Sequence, residues 1–86
     1  MIEKEKKMSR QIKIHPIGSN QTEVHIGANR FLVSYKTPVA AYISGQGFFR
    51  TSQKWSVTTS KHINKWLDCA VVQTVPQHVI EEWFSI

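Results

Sequence analysis

Lys54-Trp55-Ser56-Val57-Thr58-Thr59-Ser60-Lys61-His62-Ile63-Asn64-Lys65-Trp66-Leu67 marks the point where the chain changes period. Upstream of it apolar residues alternate. Within and beyond it they recur at helical spacing. Thr58, Thr59 and Ser60 are helix-capping residue types. Behind them Ile63, Trp66, Leu67 and Ala70 share one apolar face. Lys61 and Lys65 stand one turn apart on another. The stretch predicts a helix near residues 60–69 that buries one side and carries cations on its surface.

Working back from it, five strands are expected. Ile12 and Ile14 alternate with Lys13 and His15, as in a half-buried strand over 11–15. Pro16 to Asn20 is a turn cluster. Thr22, Val24 and Ile26 alternate with Glu23 and His25, and Phe31, Val33 and Tyr35 carry a third strand. A loop at Ala28-Asn29 would set Ile26 opposite Phe31 and Val24 opposite Val33, gathering the larger groups on one face. Pro38 lacks a donor and marks a strand start or edge before 39–43. Ser44-Gly45-Gln46-Gly47 is a strong turn, and Phe48-Phe49-Arg50-Thr51 returns as a fifth strand. Downstream, Val71 to Val75 read as a connection. Pro76 suits a first helical turn, and Val79, Ile80, Trp83 and Phe84 share a helix face. The expected fold is α+β: an antiparallel meander of four to five strands followed by two short amphipathic helices packed on the sheet, in two layers.

Eighty-six residues make one domain, expected over 10–86 behind a flexible leader at 1–9. At 41% hydrophobic, with three Trp, two Tyr and four Phe, the composition is that of a folded chain. The single cysteine, Cys69, excludes an intramolecular disulfide and a multi-cysteine zinc site, and its place beside Ala70 suggests a small buried residue. No run is long and apolar enough to span a membrane as a helix, and no signal peptide is visible. A cytoplasmic location is expected. The charge is uneven. Residues 10–65 carry eight Lys and Arg against Glu23 alone, and residues 66–86 carry Asp68, Glu81 and Glu82 with no base. A basic body attracts polyanions or an acidic protein surface.

No constellation for catalysis stands out. His15, His25, His62 and His78 never share the i, i+4 spacing of paired ligands. Glu81 and Glu82 fall on the polar side of the last helix, and Gly45-Gln46-Gly47 precedes a strand rather than a helix, unlike a phosphate loop. Neither an enzymatic activity nor a metal or other cofactor is expected. Phe48 and Phe49 are adjacent and point to opposite sides of a strand, so one of them can stand beside Arg50 and Lys54. A ring among cations suits single-stranded nucleic acid and also protein hot spots. Lys61, Asn64 and Lys65 are base- and phosphate-contacting types. The candidate binding residues are therefore Arg30, Phe48, Arg50, Lys54, Trp55, Lys61, Asn64 and Lys65.

Three stretches carry a resemblance: Ser34-Tyr35-Lys36-Thr37-Pro38-Val39-Ala40, Phe48-Phe49-Arg50-Thr51, and Lys54 to Leu67, closed by Val75-Pro76-Gln77. The pattern, over roughly residues 24–80, resembles a family of small phage, prophage and plasmid proteins of unknown function. The resemblance implies no catalytic residue. It implies a small accessory protein of a mobile element, acting in the cytoplasm of a host bacterial cell. Its expected partner is a host protein or ribonucleoprotein complex, for instance a nucleic-acid-guided defence complex that it inhibits in an anti-CRISPR-like manner. Direct binding of single-stranded DNA or RNA is the alternative.

Overall fold

The computed structural model describes residues 11–68 and 70–85. The expected leader and Cys69 lie outside the described residues. Six strands, β1 (Ile12–Gly18), β2 (Gln21–Ile26), β3 (Asn29–Ser34), β4 (Thr37–Ile43), β5 (Gly47–Thr51) and β6 (Val72–Val75), form one sheet in the order of the chain. Helix α1 (Val57–Leu67) joins β5 to β6, and α2 (Gln77–Phe84) closes the domain. The fold is α+β, as expected, but the sheet is mixed. The first four pairings are antiparallel, whereas β6 lies parallel to β5. Residues 72–75 are thus a strand and not a connection. A parallel neighbour needs a crossover, and α1 supplies it.

The two helices lie on opposite faces, so the domain has three layers where two were expected. Val24, Ile26, Phe31, Ala41, Ile43 and Phe49 form a buried cluster that packs against Trp83 and Phe84 of α2. Leu32, Val39 and Ala40 form a second cluster with Ile63 and Leu67 of α1, joined by Phe48, Trp66 and Val72. Phe48 and Phe49 do point to opposite faces. The sheet therefore spends both of its surfaces on core, which is how so short a chain buries twelve hydrophobic residues among those described.

Register differs from expectation in one hairpin. Ile26 pairs with Asn29, Val24 with Phe31 and Thr22 with Val33. The loop is Gly27-Ala28, and Gly27 sits at φ 61, a conformation open to glycine at no steric cost. The displacement is by two residues, so each side chain keeps its face. β1 runs on through Pro16, with a bulge between Pro16 and Gly18. It is an outer strand, where a missing donor is tolerated. All of β1 is exposed and not half-buried: Ile14 retains 65% of its surface.

Helix α1 begins earlier than the capping types suggest. Ser56 is the N-cap, and its Oγ accepts the Thr59 N–H at 3.2 Å. Thr59 is then free to point inward with His62, Ile63 and Leu67. The helix stops at Asp68, which takes a left-handed conformation (φ 44) and donates its N–H to the Asn64 carbonyl. Ala70 lies beyond the helix. Helix α2 lacks a side-chain cap at Pro76. The Gln77 amide instead ties its first turn to the Pro38 carbonyl of β4 at 2.8 Å.

Candidate binding face

The α1 side of the sheet gathers most of the cations among the described residues. Cross-strand pairing sets Lys13 beside His25, His25 beside Arg30, and Arg30 beside Tyr42 on one row of that face. Tyr42 continues the row to Phe48. On the next row Ala40 pairs with Arg50, and Arg50 with Thr74. Lys61 and Lys65 stand exposed on α1 itself. On the opposite side α2 exposes Glu81 and Glu82. The unevenness along the sequence thus becomes a partial polarity in space: most of the described Lys and Arg residues gather on the α1 side, which also holds Glu23 and Asp68, while Glu81 and Glu82 stand on the α2 side.

The eight expected residues fall into two groups and an outer ridge. Arg50, Lys54 and Trp55 line a groove of about 510 Å³ beside the start of α1, together with Gln53, Val57, Ser60 and Thr74. Arg50 Nη1 donates to Asn64 Oδ1 at 3.2 Å, so the strand and the helix share that edge. The segment 52–56 is not in regular structure, but its start is held. Ser52 N–H binds the Val75 carbonyl and Gln53 N–H binds Thr51 Oγ1. Arg30 and Phe48 lie apart from this groove. The Arg30 guanidinium sits 5.1 Å over the Tyr42 ring, Tyr42 stacks obliquely on Phe48 at 4.8 Å, and Phe48 meets the Trp66 edge at 6.0 Å. The three rings are half-buried, and the exposed Arg30 lies against them through its cation–π contact. Lys61 and Lys65 form the ridge between the groups.

Beyond the eight, Glu23 joins the belt. It accepts the Trp66 indole N–H at 3.0 Å and pairs with His25 at 2.5 Å. The His25 ring in turn lies 4.7 Å from that of His15. Burial opposes the charged form of Glu23. The Trp66 and His25 hydrogen bonds and the nearby Arg30 outweigh it, and the carboxyl sits below the ordinary carboxylate range. A depressed folded-state value stabilises the fold above the unfolded value. That contribution is lost as pH falls through the folded one. Acid should therefore lower the wild-type unfolding midpoint, and Glu23→Gln should flatten the acid limb below about pH 4. Urea unfolding at a series of pH values measures this. An unchanged acid limb in the variant would show that Glu23 carries none of it.

Sequence reasoning also missed a cleft of about 260 Å³ on the other side of Trp55, lined by Ser34, Tyr35, Thr37, Val39, Ser56 and Thr59. Its floor is a chain of hydroxyls. Ser56 Oγ donates to Thr59 Oγ1, Thr59 Oγ1 lies 3.0 Å from Ser34 Oγ, and Ser34 Oγ lies 2.9 Å from His62 Nδ1. These partners are 25 and 28 residues apart, so only the capping types hinted at them. A serine–histidine contact invites a nucleophile reading. Ser34, however, is 2% exposed, is shared with Thr59, and has no carboxylate among the described partners of His62. The arrangement locks the β3–β4 turn to α1.

Among the described residues no group of three His, Cys, Asp or Glu side chains is placed to hold a metal ion. None of the described helices is long and apolar enough to cross a membrane. No curated protein and no solved structure matches the chain. A family of unknown function, DUF8033, matches over residues 12–82, from the first residue of β1 into α2. That span takes in all six strands, the groove, the belt and the cleft: the chain belongs to the DUF8033 family.

Proposed function

We propose that the protein is a non-catalytic binding module whose α1 side engages single-stranded nucleic acid. The observation that carries this reading is the groove beside Trp55. It places Arg50 and Lys54 next to an indole that is 36% exposed, under the ridge of Lys61 and Lys65. Cations that follow a backbone next to a ring on which a base stacks are the working parts of sequence-tolerant single-strand binding. Read along the chain, the charges look dispersed, and a protein partner is the natural expectation. The fold draws most of the described ones to one side, which takes away one of the reasons for that preference.

A second reading is favoured by the other group. Arg30, Tyr42, Phe48 and Trp66 form a packed aromatic–arginine belt of the kind found at the centre of protein interfaces. Given the resemblance to mobile-element proteins, the partner would be a host protein or a ribonucleoprotein defence complex.

The deciding experiment is capture from bacterial lysate with and without nuclease, paired with anisotropy titrations of a labelled single strand at several salt concentrations. The first reading expects capture to be lost with nuclease. It also expects log K to fall linearly with log salt, by about 0.7 for each phosphate neutralised. A protein retained after nuclease, with no salt-dependent strand binding, would establish the second reading and overturn the first.

A further inference from the structure

We infer that the cleft between Tyr35 and Trp55 receives one nucleobase of the bound strand, an inference that rests on the single-strand reading and gives it a definite subsite. The cleft is walled by two aromatic residues that are 51% and 36% exposed, the most open Tyr, Trp or Phe residues among those described. Its volume, about 260 Å³, is below the usual range for a whole small-molecule ligand. It fits a single planar group. Trp55 is shared with the Arg50–Lys54 groove on its other side, so a backbone phosphate and its base would straddle one indole.

The floor suits the polar edge of a base. The hydroxyl chain runs Ser56, Thr59, Ser34, His62, and its sense depends on which His62 nitrogen carries the proton. With Nδ1 accepting, all three hydroxyl hydrogens are used within the chain, and the floor offers lone pairs. With the proton on Nδ1, Ser34 donates to Thr59, and the Thr59 hydrogen turns to the cleft. A base edge, which mixes donors and acceptors, can be met either way.

Tyr35 supplies independent support. It opens the two-residue β3–β4 loop at φ 58, a position where glycine is the unstrained choice and a bulky side chain is an outlier. Its ring is half open to solvent and contributes little to the core. Strain retained at an exposed aromatic is better accounted for by a ligand than by the fold.

The test uses the full chain, a labelled single strand of about ten nucleotides as DNA and as RNA, and the same strand with abasic residues. The intact strands should bind about tenfold to a hundredfold more tightly than the abasic one, and the Tyr35 ring resonances, which lie on the cleft side alone, should shift only with the intact strands. Trp55→Ala and Tyr35→Gly should each remove most of that difference. Tyr35→Gly should leave the melting temperature unchanged or raised, which separates a lost ring from a lost fold. Equal, salt-dependent binding of intact and abasic strands would overturn the base site and leave the backbone reading standing. If no strand binds, a nucleoside monophosphate titration followed at the Tyr35 ring decides the cleft alone: a saturable shift upholds it, and none overturns it. A nuclease-resistant protein whose capture is lost in Trp55→Ala, with no shift from any nucleotide, would replace the base by a protein side chain and also overturn it.

Discussion

Phe31→Ala should lower the stability of the domain by about 3–5 kcal/mol, and its unfolding midpoint in urea should fall accordingly. Phe31 is fully buried at the centre of the α2-side cluster. It pairs across the sheet with Val24 and Ala41 and meets the Phe84 ring edge-on at 5.3 Å. Alanine would remove the ring from three elements at once. The neighbours cannot close the space, because Ala41 is already small and α2 is held at its start by Gln77. A chain of this size stands only about 4–13 kcal/mol above its unfolded state, so one ring is a large share. Urea unfolding measures the loss. Ile14→Ala is the control. It removes a similarly apolar group from an exposed outer strand and should change stability by less than about 0.5 kcal/mol. Similar losses in the two variants would mean that the core does not lie between β3 and α2.

Much of this architecture is legible before folding, and the rest is hidden for identifiable reasons. Alternation in 22–26 reports a strand because one face of it is polar and half-exposed, whereas 31–33 and 39–43, buried on both faces, read as short apolar runs bounded by turn residues. It does not say which helix covers which face, since both helices are amphipathic and either could lie on either side. β6 escapes because Val72-Gln73-Thr74-Val75 is short and its partner, β5, lies beyond an entire helix. Parallel pairing leaves no local turn signal. The start of α1 is ambiguous because Ser56, Thr58, Thr59 and Ser60 are all capping types. Tertiary burial of Thr59 against Ser34 selects Ser56. The site divides in the same way. Residue types in 48–55 and 61–65 announce a basic aromatic surface, but their separation into a groove and a belt is set by how α1 crosses the sheet. The hydroxyl floor joins Ser34 to residues in α1 that no local pattern connects to it.

The largest expected effect on function comes from reversing charge on the α1 side. Arg50→Glu with Lys54→Glu alters the groove, and Lys61→Glu with Lys65→Glu alters the ridge. Each pair should weaken single-strand binding on the order of a hundredfold near 0.1 M salt and reduce the slope of log K against log salt by about 1.4, the share of two phosphates. The fold should persist. Lys54, Lys61 and Lys65 are exposed, and the one hydrogen bond given up, Arg50 to Asn64, is long and solvent-facing. Glu81→Lys with Glu82→Lys controls for net charge. It makes the protein more basic, but on the α2 side, where it should alter affinity by no more than a few-fold through long-range attraction screened within about 10 Å. The comparison separates location from total charge. If the α2-side pair strengthened binding as much as the α1-side pairs weakened it, the protein would be acting as a diffuse cation with no defined face. If only the ridge pair mattered, the strand would run along α1 and would not pass the groove at Trp55. If binding depended on both α1-side pairs and neither α2-side change, the strand would pass along one surface, from the ridge of α1 to the indole that divides the groove from the cleft.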